Sequence, residues 1–86
     1  MKAVTLQIKN PTGLHTRPGT QFVRLAKTFQ SEITIKKNDQ VATAKSLVKL
    51  LKIGISQGDV IELSVVGADE ELALAELKAF IETLEE

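Results

Sequence analysis

The residues best placed to do chemistry stand together near the start of the chain, in the stretch "GLHTRPGTQF" at positions 13–22. His15 is the only histidine, and Arg17 and Pro18 follow it where a helical pattern begins. Proline suits the first turn of a helix, because its missing N–H would lack an intrahelical acceptor there. Backbone N–H groups and the positive end of the helix dipole form an anion site at such a terminus, and the Arg17 guanidinium matches phosphate oxygens.

A neutral imidazole at this position is a nucleophile suited to a phosphoryl group. The helix terminus and Arg17 disfavour the protonated ring, so we expect His15 to favour the neutral form at pH 7. A phosphoryl group on the ring would meet the N–H donors and Arg17, which predicts nucleophilic catalysis completed by a partner protein. The competing interpretation is an ordinary surface histidine beside a solvated arginine. The pattern also leaves open whether Thr16 or Arg17 is the N-cap residue.

The composition argues against several other chemistries. The chain has 86 residues and no cysteine, which predicts one domain over 1–86 without disulfides, a zinc ribbon or a thiolate nucleophile. One histidine cannot form a His/Cys metal cluster, and no loop has the carboxylate spacing of a Mg²⁺ or Ca²⁺ site, so we expect no metal and no cofactor. No acid–base partner of His15 is evident, which argues against an enzyme with its own turnover.

Charge is distributed unevenly, although the net charge is zero. Ten of the eleven lysines and arginines precede Asp59, and nine of the eleven acids lie from Asp59 onward, which predicts a basic face for an acidic protein partner. Nucleic acid is the weaker alternative, because the chain has three Phe and no Tyr or Trp. The start has no leader pattern and no apolar run long enough to span a membrane, so we expect a cytoplasmic protein without membrane insertion. A monomer is the economical expectation for its oligomeric state.

Hydrophobic periodicity predicts the element order βαββαβα. Apolar and polar residues alternate at 4–8, 33–35 and 61–65, and a short strand at 40–43 follows a turn. A first helix has the apolar stripe Phe22, Leu25, Ala26 and Phe29; a second lies between Ser46 as N-cap and Gly54; a long third helix follows Asp69 as its cap. Four half-buried strands with three helices on one face predict an α+β fold, an open-faced β-sandwich with a four-stranded antiparallel sheet.

The short helix after Ser46 carries more apolar residues than one sheet face can cover. Leucine, valine and isoleucine occupy positions 47, 48, 50, 51 and 53, with lysines at 45, 49 and 52 beside them. An exposed apolar patch rimmed by lysines is typical of a protein docking surface, which Arg24 and Lys27 on the first helix would extend toward His15. A largely buried helix with a solvated lysine edge fits the same pattern.

The stretch "GLHTRP", with "AKSL" and "GISQGD" further on, strongly resembles HPr, the histidine-containing phosphocarrier of the bacterial phosphoenolpyruvate–sugar phosphotransferase system. The resemblance covers the whole chain. It implies that His15 accepts a phosphoryl group on Nδ1 from phosphorylated Enzyme I and passes it to sugar-specific Enzyme IIA domains, at a site that Arg17 and Pro18 shape. We assign phosphate binding to Thr16 and Arg17, and partner docking to Thr20, Arg24, Lys27, Leu47, Val48, Lys49, Leu51 and Lys52.

A regulatory alternative stays open beside phosphoryl transfer. Ser46 is explained as a helix cap, but in many HPr proteins the matching serine is phosphorylated by a dedicated HPr kinase/phosphorylase, which would add that kinase as a partner. A nitrogen-related branch of the system is a further possibility, while the presence of His15 favours transfer. Gly19 departs from the alanine usual in the family; since glycine weakens a helix by up to about 1 kcal/mol, we expect Gly19→Ala to raise stability and to leave transfer within a few-fold.

Overall fold

The computed structural model describes residues 1–85 and has the predicted order of elements. The strands are β1 (Lys2–Gln7), β2 (Glu32–Lys37), β3 (Gln40–Thr43) and β4 (Val60–Val66). The helices are α1 (Thr16–Lys27), α2 (Leu47–Ile53) and α3 (Glu70–Glu82). None of these three helices, taken over the described part of the chain, is both long enough and apolar enough to cross a bilayer.

The four strands form one antiparallel sheet in the order β1-β4-β2-β3. Leu63 on the inner strand β4 lies opposite Val4 on β1 and opposite Ile35 on β2. Because side chains alternate along a strand, this register brings the buried apolar residues of the three strands onto one face. The other face of the sheet is uncovered, and the prediction of an open-faced α+β sandwich is confirmed.

The three helices lie on the apolar face of the sheet and share one core with it. Phe22 of α1, Leu50 of α2 and Leu77 of α3 are each at most 1% exposed and belong to the same buried cluster as the inward residues of the strands. Burying an apolar side chain of this size stabilises the fold by about 1.5–3 kcal/mol. Since Phe22 anchors α1 in the core, the N-terminus of that helix has a fixed position beside the loop that precedes it.

The structure identifies the N-cap residues of α1 and α3 and shows how the predicted cap of α3 uses its side chain. His15 itself is the N-cap residue of α1, with an extended backbone at φ −94° and ψ 158°, and Thr16 is already helical, so neither Thr16 nor Arg17 is the N-cap. Asp69 is the N-cap residue of α3, as predicted, but within residues 1–85 its side chain makes no capping hydrogen bond. Its carboxylate instead accepts the N–H groups of Gln30 and Ser31 and ties α3 to the segment before β2.

Gly19 lies where α1 meets the preceding loop, and alanine does not fit there without a shift. A Cβ on Gly19 would lie 2.4 Å from the Leu14 carbonyl oxygen and 3.5 Å from Leu47 Cδ1. The expectation that Gly19→Ala raises stability is therefore wrong for this structure. Overlap with a backbone atom outweighs a helix preference of up to about 1 kcal/mol.

We predict that Gly19→Ala lowers the free energy of unfolding by about 1–2 kcal/mol, because overpacking costs more than the helix preference of alanine gains. Urea denaturation of the variant and the wild type measures this difference. Gln21→Ala, at an exposed position of the same helix, is the matched control and should change the free energy of unfolding by less than about 0.5 kcal/mol. A Gly19→Ala protein that is more stable than the wild type contradicts the prediction.

Candidate phosphoryl-transfer site

His15 is half-buried at the N-terminus of α1, in a loop whose backbone is held on both sides. The His15 N–H donates to the Thr12 carbonyl oxygen at 3.4 Å, and the Leu14 N–H donates to the Ile55 carbonyl oxygen at 3.0 Å. Gly13 has φ +61°, and a Cβ there would lie 2.3 Å from the Ile55 oxygen. Only glycine allows this left-handed backbone and this close approach without strain, so the residue two before the histidine fixes the path of the loop.

The imidazole of His15 is held through one of its two ring nitrogens. Nε2 lies 3.2 Å from the hydroxyl oxygen of Ser56. Within residues 1–85, the His15 side chain makes no capping hydrogen bond to the amides of α1. The ring is thus positioned from the 54–59 turn, which precedes β4, and not by the helix whose N-terminus it occupies.

The residues after His15 form the first turn of α1. Thr16 begins the helix, and its side chain lies outside the described part of the structure. Pro18 is buried, whereas Arg17 is exposed. The amides of a first helical turn point toward its N-terminal end, so this end of α1 presents positive potential beside the imidazole. The fold therefore brings together the histidine, the helix terminus and the arginine-bearing turn.

The predicted docking residues of α2 divide between the core and the surface. Val48 and Leu51 are 66% and 41% exposed, while Leu50 is buried. Leu47 is half-buried, packs against the core and lies beside Gly19 at the start of α1, which places α2 next to the His15 loop. The expectation that part of the apolar surface of this helix is exposed is confirmed. The other residues assigned to docking are exposed or half-buried: Thr20, Arg24, Lys27, Lys49 and Lys52.

Two lysines that resemble surface charges in the sequence bind backbone oxygens of the fold. Lys45 Nζ donates to the Phe29 carbonyl oxygen at 2.7 Å, so the predicted lysine stripe at 45, 49 and 52 is wrong at its first member. Lys37 Nζ donates to the Gly54 carbonyl oxygen at 2.8 Å and pairs with the Asp59 carboxylate at 2.8 Å. The basic face is therefore narrower than the count of lysines implies.

Ser46 occupies the capping position that the sequence predicts. It is the N-cap residue of α2, with an extended backbone, and its hydroxyl accepts the Lys49 N–H at 3.4 Å. Gly54 ends the same helix in the left-handed conformation at φ +71°, also as predicted. The structural role of Ser46 is therefore present in the fold, and its phosphorylation stays a prediction.

Ser56 and Asp59 are neighbours of the histidine that the sequence pattern does not reveal. Ser56 is 41 positions from His15, and its N–H donates to Asp59 Oδ2 at 2.7 Å. The hydrogen bond from Lys37 and then the Ser56 N–H hold the pKa of the Asp59 carboxyl below its ordinary value of 3.8. The segment "GISQGD" carries a turn signal, but no local pattern relates a turn to a distant imidazole.

Comparison with known proteins gives matches over nearly the whole chain. A family profile described as "PTS HPr component phosphorylation site" matches residues 2–83. The phosphocarrier protein HPr of Haemophilus influenzae is 45% identical over 85 residues, which cover 99% of this chain and 100% of that protein. The crystal structure of HPr-C-His from Thermoanaerobacter tengcongensis superposes with a TM-score of 0.95 at 46% identity, covering 96% of this chain and 93% of that one. The HPr-like protein Crh of Halalkalibacterium halodurans is 42% identical over 77 residues, covering 90% of this chain and 92% of that protein.

An open-faced α+β sandwich with a histidine at the N-terminus of its first helix, matched over this length, defines the class of small phosphocarrier proteins. Within that class, the chain belongs to the HPr family of the phosphotransferase system.

Proposed function

We propose that the chain carries a phosphoryl group on His15 Nδ1, receives it from phosphorylated Enzyme I and passes it to Enzyme IIA domains. One observation carries this proposal: the half-buried imidazole stands at the N-terminus of α1 with Nε2 held 3.2 Å from Ser56 Oγ. Because Nε2 is engaged, Nδ1 is the ring nitrogen to which the phosphoryl group would bind. The membership in the HPr family supports the same assignment.

The transfer exchanges one bond to phosphorus for another. The lone pair of Nδ1 attacks phosphorus, the bond between phosphorus and the donor atom breaks, and its electron pair returns to the donor. The phosphoryl oxygens carry negative charge, which the first-turn amides of α1 and the Arg17 guanidinium stabilise. The same step with an Enzyme IIA domain as acceptor restores the free histidine, so the chain acts as a stoichiometric carrier and not as an enzyme with its own substrate.

Partners dock on the exposed side of α2 and on the neighbouring part of α1. Val48 and Leu51 supply the apolar centre of this surface, and Lys49, Lys52 and Arg24 supply a basic rim. A partner that fits has an apolar centre and an acidic rim, and its association weakens as salt is added. The proposal takes residues 1–86 as one domain that works as a cytoplasmic monomer, without a metal, a cofactor, nucleic acid or membrane insertion.

His15→Ala should abolish phosphoryl acceptance. Wild-type protein incubated with Enzyme I, Mg²⁺ and radiolabelled phosphoenolpyruvate should acquire label that is lost in acid and kept in alkali, as expected of a phosphohistidine, while His15→Ala stays at background. Ser46→Ala is the control and should acquire label like the wild type. Label that persists in His15→Ala shows that another residue is the acceptor and contradicts the proposal.

A second candidate function, regulation through Ser46, has support in the similarity to the HPr-like protein Crh. In that alternative, Ser46 is the phosphorylated residue and an HPr kinase/phosphorylase is the partner. Incubation with that kinase and radiolabelled ATP would then give acid-stable label in the wild type and none in Ser46→Ala. Retention of His15 favours phosphoryl transfer as the main function.

The docking surface predicts a specific kinetic effect for Val48→Asp. A negative charge placed among the lysines of α2 should raise the KM of Enzyme I for this chain by about ten-fold and leave kcat nearly unchanged, because binding is weakened and the histidine is not touched. Leu72→Asp, at an apolar position of α3 that is 58% exposed, is the matched control and should leave KM unchanged. Equal changes of KM in the two variants would show that α2 is not part of the docking surface.

A further inference from the structure

The 54–59 turn is the element that holds the side chain of His15. Ser56 is exposed at this turn and places its hydroxyl oxygen 3.2 Å from Nε2 of the imidazole. The turn lies directly against the backbone of the His15 loop, since the Leu14 N–H donates to the Ile55 carbonyl oxygen at 3.0 Å. The hydroxyl therefore approaches the ring from a backbone that is itself fixed to the loop.

The 54–59 turn is itself held by a half-buried ion pair between Lys37 and Asp59. Asp59 Oδ2 accepts the Ser56 N–H at 2.7 Å, and the Asp59 N–H donates to the Ser56 carbonyl oxygen at 3.1 Å. Lys37 on β2 binds Asp59 and the Gly54 carbonyl oxygen, each at 2.8 Å, so it spans both ends of the turn. The Lys37 and Asp59 side chains are only 21% and 27% exposed, which limits the screening of this pair by water.

A serine hydroxyl can bond to either neutral form of the ring, because it can donate to a bare Nε2 or accept from an Nε2–H. The Ser56 oxygen accepts a hydrogen bond when the ring hydrogen is on Nε2, and that form leaves a lone pair on Nδ1. We infer that Ser56 is a positioning residue for phosphoryl transfer, whose hydroxyl holds the hydrogen on Nε2 and so presents Nδ1 as the nucleophile, with Lys37 and Asp59 fixing the turn that carries it. This inference rests on the proposed function of His15.

The same hydrogen bond strengthens as the phosphoryl group moves. When the Nδ1 lone pair forms the bond to phosphorus and the donor atom takes back its bonding pair, the hydrogen on Nε2 stays in place and the ring acquires positive charge. An Nε2–H on a more positive ring is a stronger donor, so the Ser56 oxygen stabilises the transferring state more than the free histidine. Lys37 lies against Asp59, so its positive charge offsets that of the ionised carboxylate, and the pair repels the phosphoryl oxygens less than the carboxylate alone would.

Ser56→Ala tests the inference with two readouts. The first is the nitrogen-15 NMR spectrum of the His15 ring, which reports which ring nitrogen bears the hydrogen; the variant should show a larger share of Nδ1–H than the wild type. The second is the initial rate of phosphoryl acceptance from Enzyme I, which should fall by about three- to ten-fold, as expected for the loss of one hydrogen bond. Ser56→Thr keeps the hydroxyl and should restore both readouts.

Ser64→Ala is the matched control, because it removes a half-buried hydroxyl from β4 on the uncovered face of the sheet. It should change neither the ring signals nor the rate. Unchanged ring signals and an unchanged rate in Ser56→Ala overturn the inference, and so does a slower rate that Ser56→Thr does not restore. If the wild type accepts no phosphoryl group, the proposed function fails, while the NMR comparison still tests the hydrogen bond.

Asp59→Asn tests the part assigned to the ion pair. Asparagine can still accept the Ser56 N–H through its single amide oxygen, but it loses the charge that binds Lys37. The variant should shift the ring signals in the same direction as Ser56→Ala and by a smaller amount, because the turn is loosened and the hydroxyl is kept. Ring signals identical to those of the wild type would show that the Lys37–Asp59 pair does not help to position Ser56.

Discussion

Gly13→Ala should lower both the stability of the protein and the rate at which it accepts a phosphoryl group. Residue 13 has φ +61°, a conformation that costs a residue with a side chain about 1–2 kcal/mol. A Cβ there would also lie 2.3 Å from the Ile55 carbonyl oxygen, and such overpacking costs about 1–3 kcal/mol. We therefore expect the free energy of unfolding to fall by about 2–5 kcal/mol. The loop must move away from Ile55 to relieve the overlap, so His15 is displaced from Ser56 and transfer slows.

Gly54→Ala separates the two causes of this effect. Gly54 has a similar backbone, φ +71°, but a Cβ there meets no atom within 4 Å. The variant should lose only the conformational part, about 1–2 kcal/mol, in urea denaturation. The difference between the two variants then measures the overlap with Ile55. Equal losses in both would show that the loop accommodates a Cβ at residue 13 and would refute the argument that glycine fixes the path to His15.

The helices and strands were predictable because local chemistry determines them. The second helix begins after Ser46, whose hydroxyl accepts the Lys49 N–H, and ends at Gly54 in the left-handed conformation. The third strand has the predicted bounds, Gln40–Thr43, because turn residues precede it. Alternation along each strand also predicts which side chains face the core, since a shift by one residue would expose them all.

Contacts between distant polar groups were not predictable in the same way. Asp69 was assigned as a helix cap from its local position, yet its carboxylate binds Ser31, 38 residues away. Gly19 was expected to tolerate alanine because helix propensity is a local property, while the obstacle is the carbonyl oxygen of Leu14 in the adjoining loop. Hydrophobic periodicity predicts which face of a helix or strand is buried. It does not predict which polar atom of another element that face will contact.

The residues of the candidate site also fall into two groups, those that are adjacent in the sequence and those that meet only in the fold. His15, Arg17 and Pro18 are contiguous, and the electrostatics of a helix N-terminus act over one turn, so their grouping is visible in the sequence. Ser56 and Lys37 reach the site only through the sheet, in which β4 pairs with β2 and the 54–59 turn meets the His15 loop. The proposed acceptor was therefore predictable from the sequence, whereas the residues inferred to orient it become visible only in the fold.

Asp69→Asn should lower stability at neutral pH by an amount that shrinks in acid. Oδ2 of Asp69 accepts the Gln30 N–H at 2.9 Å, and Oδ1 accepts the Ser31 N–H at 3.0 Å together with the Ser31 hydroxyl. Asparagine has one acceptor oxygen, and its NH₂ group would face one of these donors. Ser31 is 1% exposed, so water cannot take the place of the lost acceptor.

The pH dependence follows from the direction of the pKa shift. The Ser31 hydroxyl, followed by the Gln30 N–H, holds the pKa of the Asp69 carboxyl below its ordinary value of 3.8. A carboxyl with a lowered pKa in the folded chain contributes stability that is present above its unfolded pKa and is lost as the pH falls through the folded pKa. Hydrogen bonds also lower the pKa of Asp59, chiefly through Lys37, and the pKa of Glu70, chiefly through the Gly67 N–H. Because these two carboxyls are unchanged in Asp69→Asn, the variant keeps part of the loss of stability in acid.

Thermal unfolding across this pH range measures the effect. At pH 7, Asp69→Asn should lower Tm by about 5–10 °C, and the difference from the wild type should narrow markedly by a pH of about 2.5. Asp39→Asn, in the exposed turn between β2 and β3, is the matched control and should change Tm little at either pH. A difference in Tm that stays constant from neutral to acid pH would show that the shape of Asp69, and not its charge, holds α3 to the segment before β2.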